Sequence, residues 1–443
     1  MAVITPIRGI RYSPVKIENM ADVVTPPYDV ISLEDQEEFY QRHPHNIIRL
    51  ELGKTFPDDS PANNRYTRAA RLFRQWLDDQ ILIQDEKPSI YIYQQQFQYR
   101  GLPTVRTGFI CGLQLVDYAA GIVLPHEETI AKHKEDRLQL LRYCHANFSP
   151  IFGFYVDKTR FIDHQLQEVI TSRDPEVEFT DDFGIVNRLW VVQTEETLQE
   201  ITQAMRPHKI FIADGHHRYE TALHFSREMK AKGLPGYDFV MINLVNLYDE
   251  GLVIYPTHRL VKNLPDFNWQ SLENGLRENF VIKKVELDLH KENDRITFIN
   301  LLERQANEKY VFGLYLNRTT YLLTLRPHVD VETLGPSEKS TAWKRLPVTV
   351  LHTLILEKLL GISKEQRESH TNLTYTRDEA QAVAAVDDGS HQMAFFLTAP
   401  HLEDVVQVAD AGDKMPQKST YFYPKLTTGL VINPLGPEIK PET

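Results

Sequence analysis

The chain has 443 residues, and 49 Lys and Arg against 61 Asp and Glu give it a formal charge of −12. That length predicts roughly two or three domains, and 42% hydrophobic with 25% charged residues is a globular composition. The acidic balance weighs against nonspecific nucleic-acid binding, and no two glycines lie two or five positions apart, so a G-x-G-x-x-G loop and a P-loop are both excluded.

The first fifty residues read as irregular and turn-rich, with Pro26-Pro27 forcing an extended backbone ahead of Tyr28-Asp29. Ile47–Leu52 alternates like a strand and puts Arg49 and Glu51 on one face. Tyr66–Leu77 predicts an amphipathic helix, and Tyr91–Phe97 with Val105–Leu115 predicts a hairpin around Arg100-Gly101. Lys132–Tyr143 reads as a charged helix that turns Leu138 and Leu141 inward. Lys209–Ala213 is a short buried strand, broken at Asp214-Gly215, and a helix follows to about Ala231. Phe239–Val245 and Leu252–Tyr255 suggest a further hairpin. From Leu264 to Leu325 the order is helix, strand, helix, strand, strand. Val348–Leu360 is helical and apolar along one stripe, which suits core or a subunit interface, with Gly361 as its stop. Strand, helix, strand, helix close the chain before a proline-rich tail.

Cys111 and Cys144 are too few for a disulfide framework or a cysteine-based zinc site and read as buried small hydrophobes. The N-terminus lacks the basic and apolar regions of a signal peptide, and no apolar run reaches membrane-spanning length. A cytoplasmic protein without membrane or nucleic-acid partners is expected.

One stretch carries chemistry. In Asp214-Gly215-His216-His217-Arg218 a strand gives way to a helix whose first turn bears two imidazoles and a guanidinium. A helix start has orphan N–H groups and a dipole that favours anions, and Arg218 adds paired donors for phosphate oxygens. Asp214 is the unexpected member, explained if it holds a metal or orients a histidine. The plainer alternative is a helix cap at Asp214 followed by polar residues.

The segment from Ala213 to Ala222 resembles the signature of domain of unknown function 1015, a prokaryotic family sometimes labelled SerC-like. Arg8-Gly9-Ile10-Arg11-Tyr12, Pro26–Ile31, His126-Glu127 with Asp136-Arg137, Asn147–Phe152, Pro256–Arg259 and Met415–Lys425 carry the same resemblance along nearly the whole chain. Nothing in the sequence looks like a pyridoxal-phosphate lysine site. The strand–Asp-Gly-His-His-Arg–helix element also resembles the phosphate loop of the ParB/sulfiredoxin superfamily. In its kinase branch such a turn binds phosphates and a glutamate elsewhere activates a hydroxyl. That resemblance implies phosphate-binding roles for Asp214, Gly215, His216 and Arg218. The reactive-cysteine motif of sulfiredoxins is missing.

Other candidates each have a bland rival. Glu127 beside His126 is a general base or a helix-start charge, and Asp29 a catalytic carboxylate or a turn cap. Lys418 is a phosphate ligand on a folding loop or part of an ordered connection. Arg8 and Arg11 are anion ligands or surface arginines. His258 is more readily a structural hydrogen-bonding group than a ligand.

The expected fold is α/β with α+β elements, multi-lobed. Residues 1–260 carry the motif, 261–330 form an α+β lobe, 331–435 pack back on the core and 436–443 form a flexible tail. The expected function is a nucleotide-dependent phosphotransferase using ATP, ADP or CTP with Mg²⁺ on a small, serine-like hydroxylated metabolite. Arg218, Gly215 and Lys418 bind phosphate, Asp214 and His216 hold metal, His216 or His217 contacts the transferring group, and Glu127 or Asp29 is the base. The rivals are a metal-dependent hydrolase on Asp214, His216, His217 and His126 or His258, and a non-enzymatic nucleotide-binding regulator. A homo-oligomer is compatible with either.

Overall fold

The structure, a computed structural model, describes residues 1–127 and 131–437, apart from the side chains of 131–133. It is a mixed α/β protein of two units, Met1–Val253 joined by Pro424–Thr443, and Ile254–Tyr423. The stretches read as 261–330 and most of 331–435 therefore share one unit, and the chain returns to the first at Pro424. From residue 438 the expected tail lies outside the described residues.

The first unit is built on a nine-stranded sheet. Its strands are β1 (Ile4–Thr5), β2 (Ile90–Tyr99), β3 (Leu102–Gln114), β4 (Val123–Leu124), β5 (Ile151–Tyr155), β6 (Val177–Thr180), β7 (Val186–Val192), β8 (Ile210–Asp214) and β9 (Phe239–Asn246). The spatial order is β4-β8-β5-β9-β3-β2-β7-β6, with β1 added beside β3. Only the β8–β4 and β9–β5 pairs are parallel. The β2–β3 hairpin closes through Arg100 and Gly101, both at positive φ (53° and 75°), the two-residue geometry that matches strand twist.

Strand β8 reads Ile-Phe-Ile-Ala because both of its faces are covered. Ile210 and Ile212 join a core that includes Phe109, Ile151, Tyr155, Trp190, Ile242 and Leu244. Helices Phe161–Ser172 and Glu195–Met205 add Ile162, Leu166, Ile201 and Met205 to it. Helix α1 (His216–Ala231) turns Tyr219, Ala222, Phe225 and Met229 inward at helical spacing. Tyr219 fixes its rotation, donating to Val116 O at 2.8 Å and stacking on Tyr118.

The second unit has a six-stranded antiparallel sheet. Its strands are β10 (His258–Val261), β11 (Phe280–Val285), β12 (Val311–Leu316), β13 (Thr319–Leu325), β14 (Leu373–Thr376) and β15 (Met393–Phe396), in spatial order β11-β13-β12-β15-β10-β14. Helices Trp269–Asn279, Glu292–Ala306, Glu379–Asp387 and Leu402–Asp410 alternate with them as the sequence predicts.

Two local expectations are corrected. Ile47–Leu52 is not a strand: Asn46 Oδ1 accepts Ile48 N–H at 2.9 Å and starts a short helix, Ile48–Glu51, which buries Leu50 and Glu51. Phe239–Asn246 forms no hairpin with the chain that follows, because β3 and β5 already occupy both of its edges. The helix after Pro347 also changes character at His352, where a π-helical segment runs to Glu357.

The sheet leaves no room at Gly108 of β3. A Cβ there would lie 2.7 Å from the Leu244 carbonyl oxygen, a backbone atom that cannot swing away. Gly108→Ala is expected to destabilise the first unit by about 1–3 kcal/mol. The check is a lower urea midpoint at an unchanged m-value; an unmoved midpoint would refute the tight approach.

Candidate functional site

The motif sits where β8 meets α1. Ile212 pairs with Gly153 but Asp214 pairs with Phe152, so the register slips at Ala213. Such an irregularity re-aims the next side chain. Gly215 then takes φ 90° as the residue before the helix, and no side chain caps it. A Cβ on Gly215 would lie 2.9 Å from Arg218 Nε and 3.0 Å from Cζ. Both the backbone angle and the guanidinium lying against it therefore demand glycine.

Asp214 is gripped from two sides. Arg218 Nη2 donates to its Oδ2 at 2.7 Å, and Lys425 Nζ donates to Oδ1. The three side chains are only 11–15% exposed. Burial alone would push the Asp214 carboxyl up, but Lys425 and Arg218 hold it far below the usual carboxylate range. Arg218 Nη1 donates to Pro150 O at 2.6 Å, which ties the helix start to the entry of β5. Arg218 Nε is buried without a hydrogen-bond partner among the described residues.

The imidazoles of His126 and His216 stand edge to face, with centroids 4.7 Å apart. His126 Nδ1 is 2.6 Å from Ile212 O, which assigns its proton to Nδ1, and the His126 backbone N–H donates to His216 Nε2 at 3.2 Å. Burial pushes the His126 pKa down, against an opposing pull from Glu127. Glu127 Oε1 lies 3.9 Å from His126 Nε2, and its side chain is 29% exposed. Of the two motif histidines, His216 is buried and His217 half-buried.

Asp29 is exposed on a short 3₁₀ turn, Tyr28–Val30. Its neighbour Tyr28 packs under Arg137, whose Cζ lies 4.0 Å from the ring centroid. Burial raises the Tyr28 hydroxyl to about 12, with Arg137 and Arg218 pulling the other way and Asp29 adding to the rise. Arg137 is held by Glu51: Nη1 lies 3.1 Å from its carboxylate and Nη2 donates to its carbonyl at 3.0 Å. Ser149 Oγ donates to the same carboxylate at 3.0 Å. Glu51, Arg137, Ser149, Arg218 and Thr221 share the wall of a cavity of ≈ 40 Å³.

Asp29, Glu127, Asp214, His216, His217 and Arg218 all belong to the first unit, and Asp214, His216 and Arg218 converge on the turn, with Glu127 beside His126. Lys418 belongs to the second unit, where its carbonyl accepts from Arg259. The lysine found on Asp214 is Lys425. Only its place in the same basic-aromatic segment hinted at it. Glu51 was hidden by the strand reading. Arg11 is used structurally, against buried Asp85 through Nε at 3.0 Å and Nη2 at 2.6 Å, and Arg8 Nε reaches Asp85 O at 3.3 Å. His258 lies in the second unit, 3.4 Å from Glu379 Oε1.

Among the described residues no three His, Cys, Asp or Glu gather closely enough to hold a metal ion. No described helix is long and apolar enough to cross a membrane, and both cysteines are buried and free.

The sequence matches the family described as protein of unknown function (DUF1015) over residues 4–349. The chain belongs to that family. The match takes in the whole motif, whereas the Met415–Lys425 segment lies beyond it. No curated protein matches the chain. Among solved structures, the DUF1015 chain is similar to a conserved hypothetical protein from Pyrococcus furiosus, at 13% identity and TM-score 0.33, over 71% of this chain and 90% of that one. It is similar to a free serine kinase in complex with AMP, at 13% identity and TM-score 0.34, over 75% and 91%. A variant of that kinase is in complex with ADP, at TM-score 0.35 and 13% identity over 76% and 93%. C-terminally truncated SbnI from Staphylococcus aureus is similar at 8% identity and TM-score 0.31, over 72% and 85%. Likenesses this remote do not bear on the chemistry of the site.

The burial of His126 sets a pH dependence. In the unfolded chain its imidazole titrates near 6.5, and the fold lowers that value. Its contribution is therefore complete above that pH and is lost as the pH falls from 6.5 through the folded value, at a slope of at most about 1.4 kcal/mol per pH unit. Asp214, also depressed, loses its contribution only in stronger acid. His126→Asn keeps a donor for Ile212 O and is expected to flatten the fall in stability between roughly pH 7 and pH 5.5. Urea midpoints across that range read the effect, and an unchanged slope would contradict a neutral buried imidazole.

Proposed function

We propose that the turn Asp214–Arg218 binds the phosphates of a nucleotide, and that the protein is a nucleotide-dependent phosphotransferase acting on a small hydroxylated metabolite. The observation that carries this reading is charge balance. One carboxylate faces two cations, Lys425 and Arg218, which leaves a local charge of −1 + 2 = +1 at the start of a 16-residue helix. The helix dipole adds to that field at its N-terminus. Such a place complements an anion, and the resemblance of the motif to the phosphate loop of the ParB/sulfiredoxin-type kinases supports the same class of ligand.

In this reading Asp214 positions the two cations and, with His216, is the place where a metal accompanying the nucleotide would be held. Each of its oxygens carries one cationic donor and keeps a second lone pair, while His216 Nε2 accepts an N–H. Magnesium accompanying a nucleotide needs few protein ligands, because phosphates and water supply most of its shell. Arg218 and Lys425 neutralise phosphate oxygens, and Gly215 lets the backbone approach them. Glu127 takes the proton of the acceptor hydroxyl as its oxygen bonds to phosphorus and the leaving phosphate departs. Asp29, on the turn held by Tyr28 and Arg137, is the other carboxylate available for that step. Such catalysis is mainly positioning and charge neutralisation.

Calorimetric titration with ATP, ADP and CTP in the presence of Mg²⁺ tests the proposal. At least one is expected to bind below millimolar concentration, and Arg218→Ala or Lys425→Ala to weaken it about tenfold to a hundredfold. Absence of binding at millimolar nucleotide sinks the reading. Binding without phosphate transfer to any hydroxylated acceptor would leave a nucleotide-binding protein in place of an enzyme.

A further inference from the structure

Strand β10 of the second unit carries a guanidinium that no acid balances among the described residues. Arg259 is 1% exposed. Its Nη1 donates to Thr257 O, its Nη2 donates to Lys418 O at 3.1 Å, and the Tyr375 ring centroid lies 5.5 Å from Cζ. Nε is buried and has no hydrogen-bond partner among the described residues. Arg137 and Arg367, also buried, each reach a carboxylate, Glu51 and Glu357. Among the described residues Tyr375 is the one ionisable group acting favourably on Arg259, and burial lowers the guanidinium to about 10 despite it.

The surroundings supply no negative charge among the described residues. His352, at the start of the π-helical segment, is buried with Nε2 unpartnered. Burial, then Arg259, then Arg367 push its pKa well down, so it is neutral and supplies no counter-charge. Arg259 lines a cavity of ≈ 10 Å³, together with Thr257, Thr398, Ser419, Leu346 and Leu397. That is room for one water-sized particle.

We propose that this cavity is a binding site for one small monovalent anion of chloride size, held by Arg259. A buried cation without a partner is costly, and a water molecule would satisfy Nε without cancelling the charge. The small volume favours a halide over phosphate, sulfate or a carboxylate. The Thr257 and Thr398 hydroxyls can rotate to donate to it, whereas Ser419 Oγ already donates to Pro416 O. Through Arg259 the ion ties β10 to the carbonyl of Lys418. The site lies in the second unit and does not depend on the nucleotide reading.

Two measurements on the full chain test it, and both must succeed. Crystals soaked in bromide are expected to show an anomalous peak beside Arg259 Nε, between Thr257 and Ser419. Absence of that peak, while bromide appears elsewhere on the molecule, overturns the proposal. Amide exchange over His258–Val261 is expected to slow in chloride relative to gluconate at equal ionic strength, by roughly tenfold at ten times the dissociation constant. Superimposable exchange in the two salts overturns it too. In Arg259→Met the chloride effect disappears; should that variant not fold, the bromide peak and the salt comparison on the unmodified chain still decide.

Discussion

The ion cluster on Asp214 is the constraint around which the first unit is arranged. A carboxylate this sheltered is best compensated with both of its cations present, and each cation comes from a different part of the chain. Arg218 rises from the first turn of α1, and Lys425 arrives from the segment that follows the second unit. Removing the carboxylate would leave two poorly hydrated cations facing each other, which is worse than removing the whole cluster. The irregular register at Ala213 and the left-handed Gly215 are the backbone adjustments that allow the grip.

A second brace extends from it. Glu51 fixes Arg137, Arg137 lies over Tyr28, and the Pro26–Asp29 turn is thereby held in place although little of it is regular structure. Ser149 contributes to the same carboxylate from the approach to β5, next to the Pro150 carbonyl that receives Arg218. The turn at Pro26–Asp29 thus rests on a charged pair beside the backbone bridge from Thr25 to Thr428. The His126–His216 contact works by other means, an edge-to-face imidazole pair joined through a backbone N–H.

Much of this was legible in the sequence where periodicity extends over several turns or strands. The order of elements from Leu264 to Leu325, the helix Arg65–Asp78 and the β8–turn–α1 element follow from apolar spacing and one glycine. Ile48–Glu51 was not legible, because a helix of a single turn has no period to display and rests on the Asn46 side chain. Phe239–Asn246 misled for another reason: a strand buried on both faces carries no mark of which edges it pairs. Within the site, Asp214 and Arg218 could be read together since they lie one helical turn apart. Lys425 could not, because 211 positions separate it from Asp214 and local chemistry does not distinguish it from Lys418.

That separation also bears on how the protein is made. Ile254–Tyr423 is an insertion in the first unit, so the ribosome completes it before Lys425 exists. Domains fold as units during synthesis, the earlier ones first. Throughout that interval Asp214 can pair with Arg218 alone, and the short strand Asn433–Pro434 has yet to join Ala146–Asn147. The nascent first unit is left with an unfilled place beside Asp214. The second cation on Asp214 arrives only as the segment after Tyr423 docks, so nascent and finished protein differ at the very turn that carries the motif.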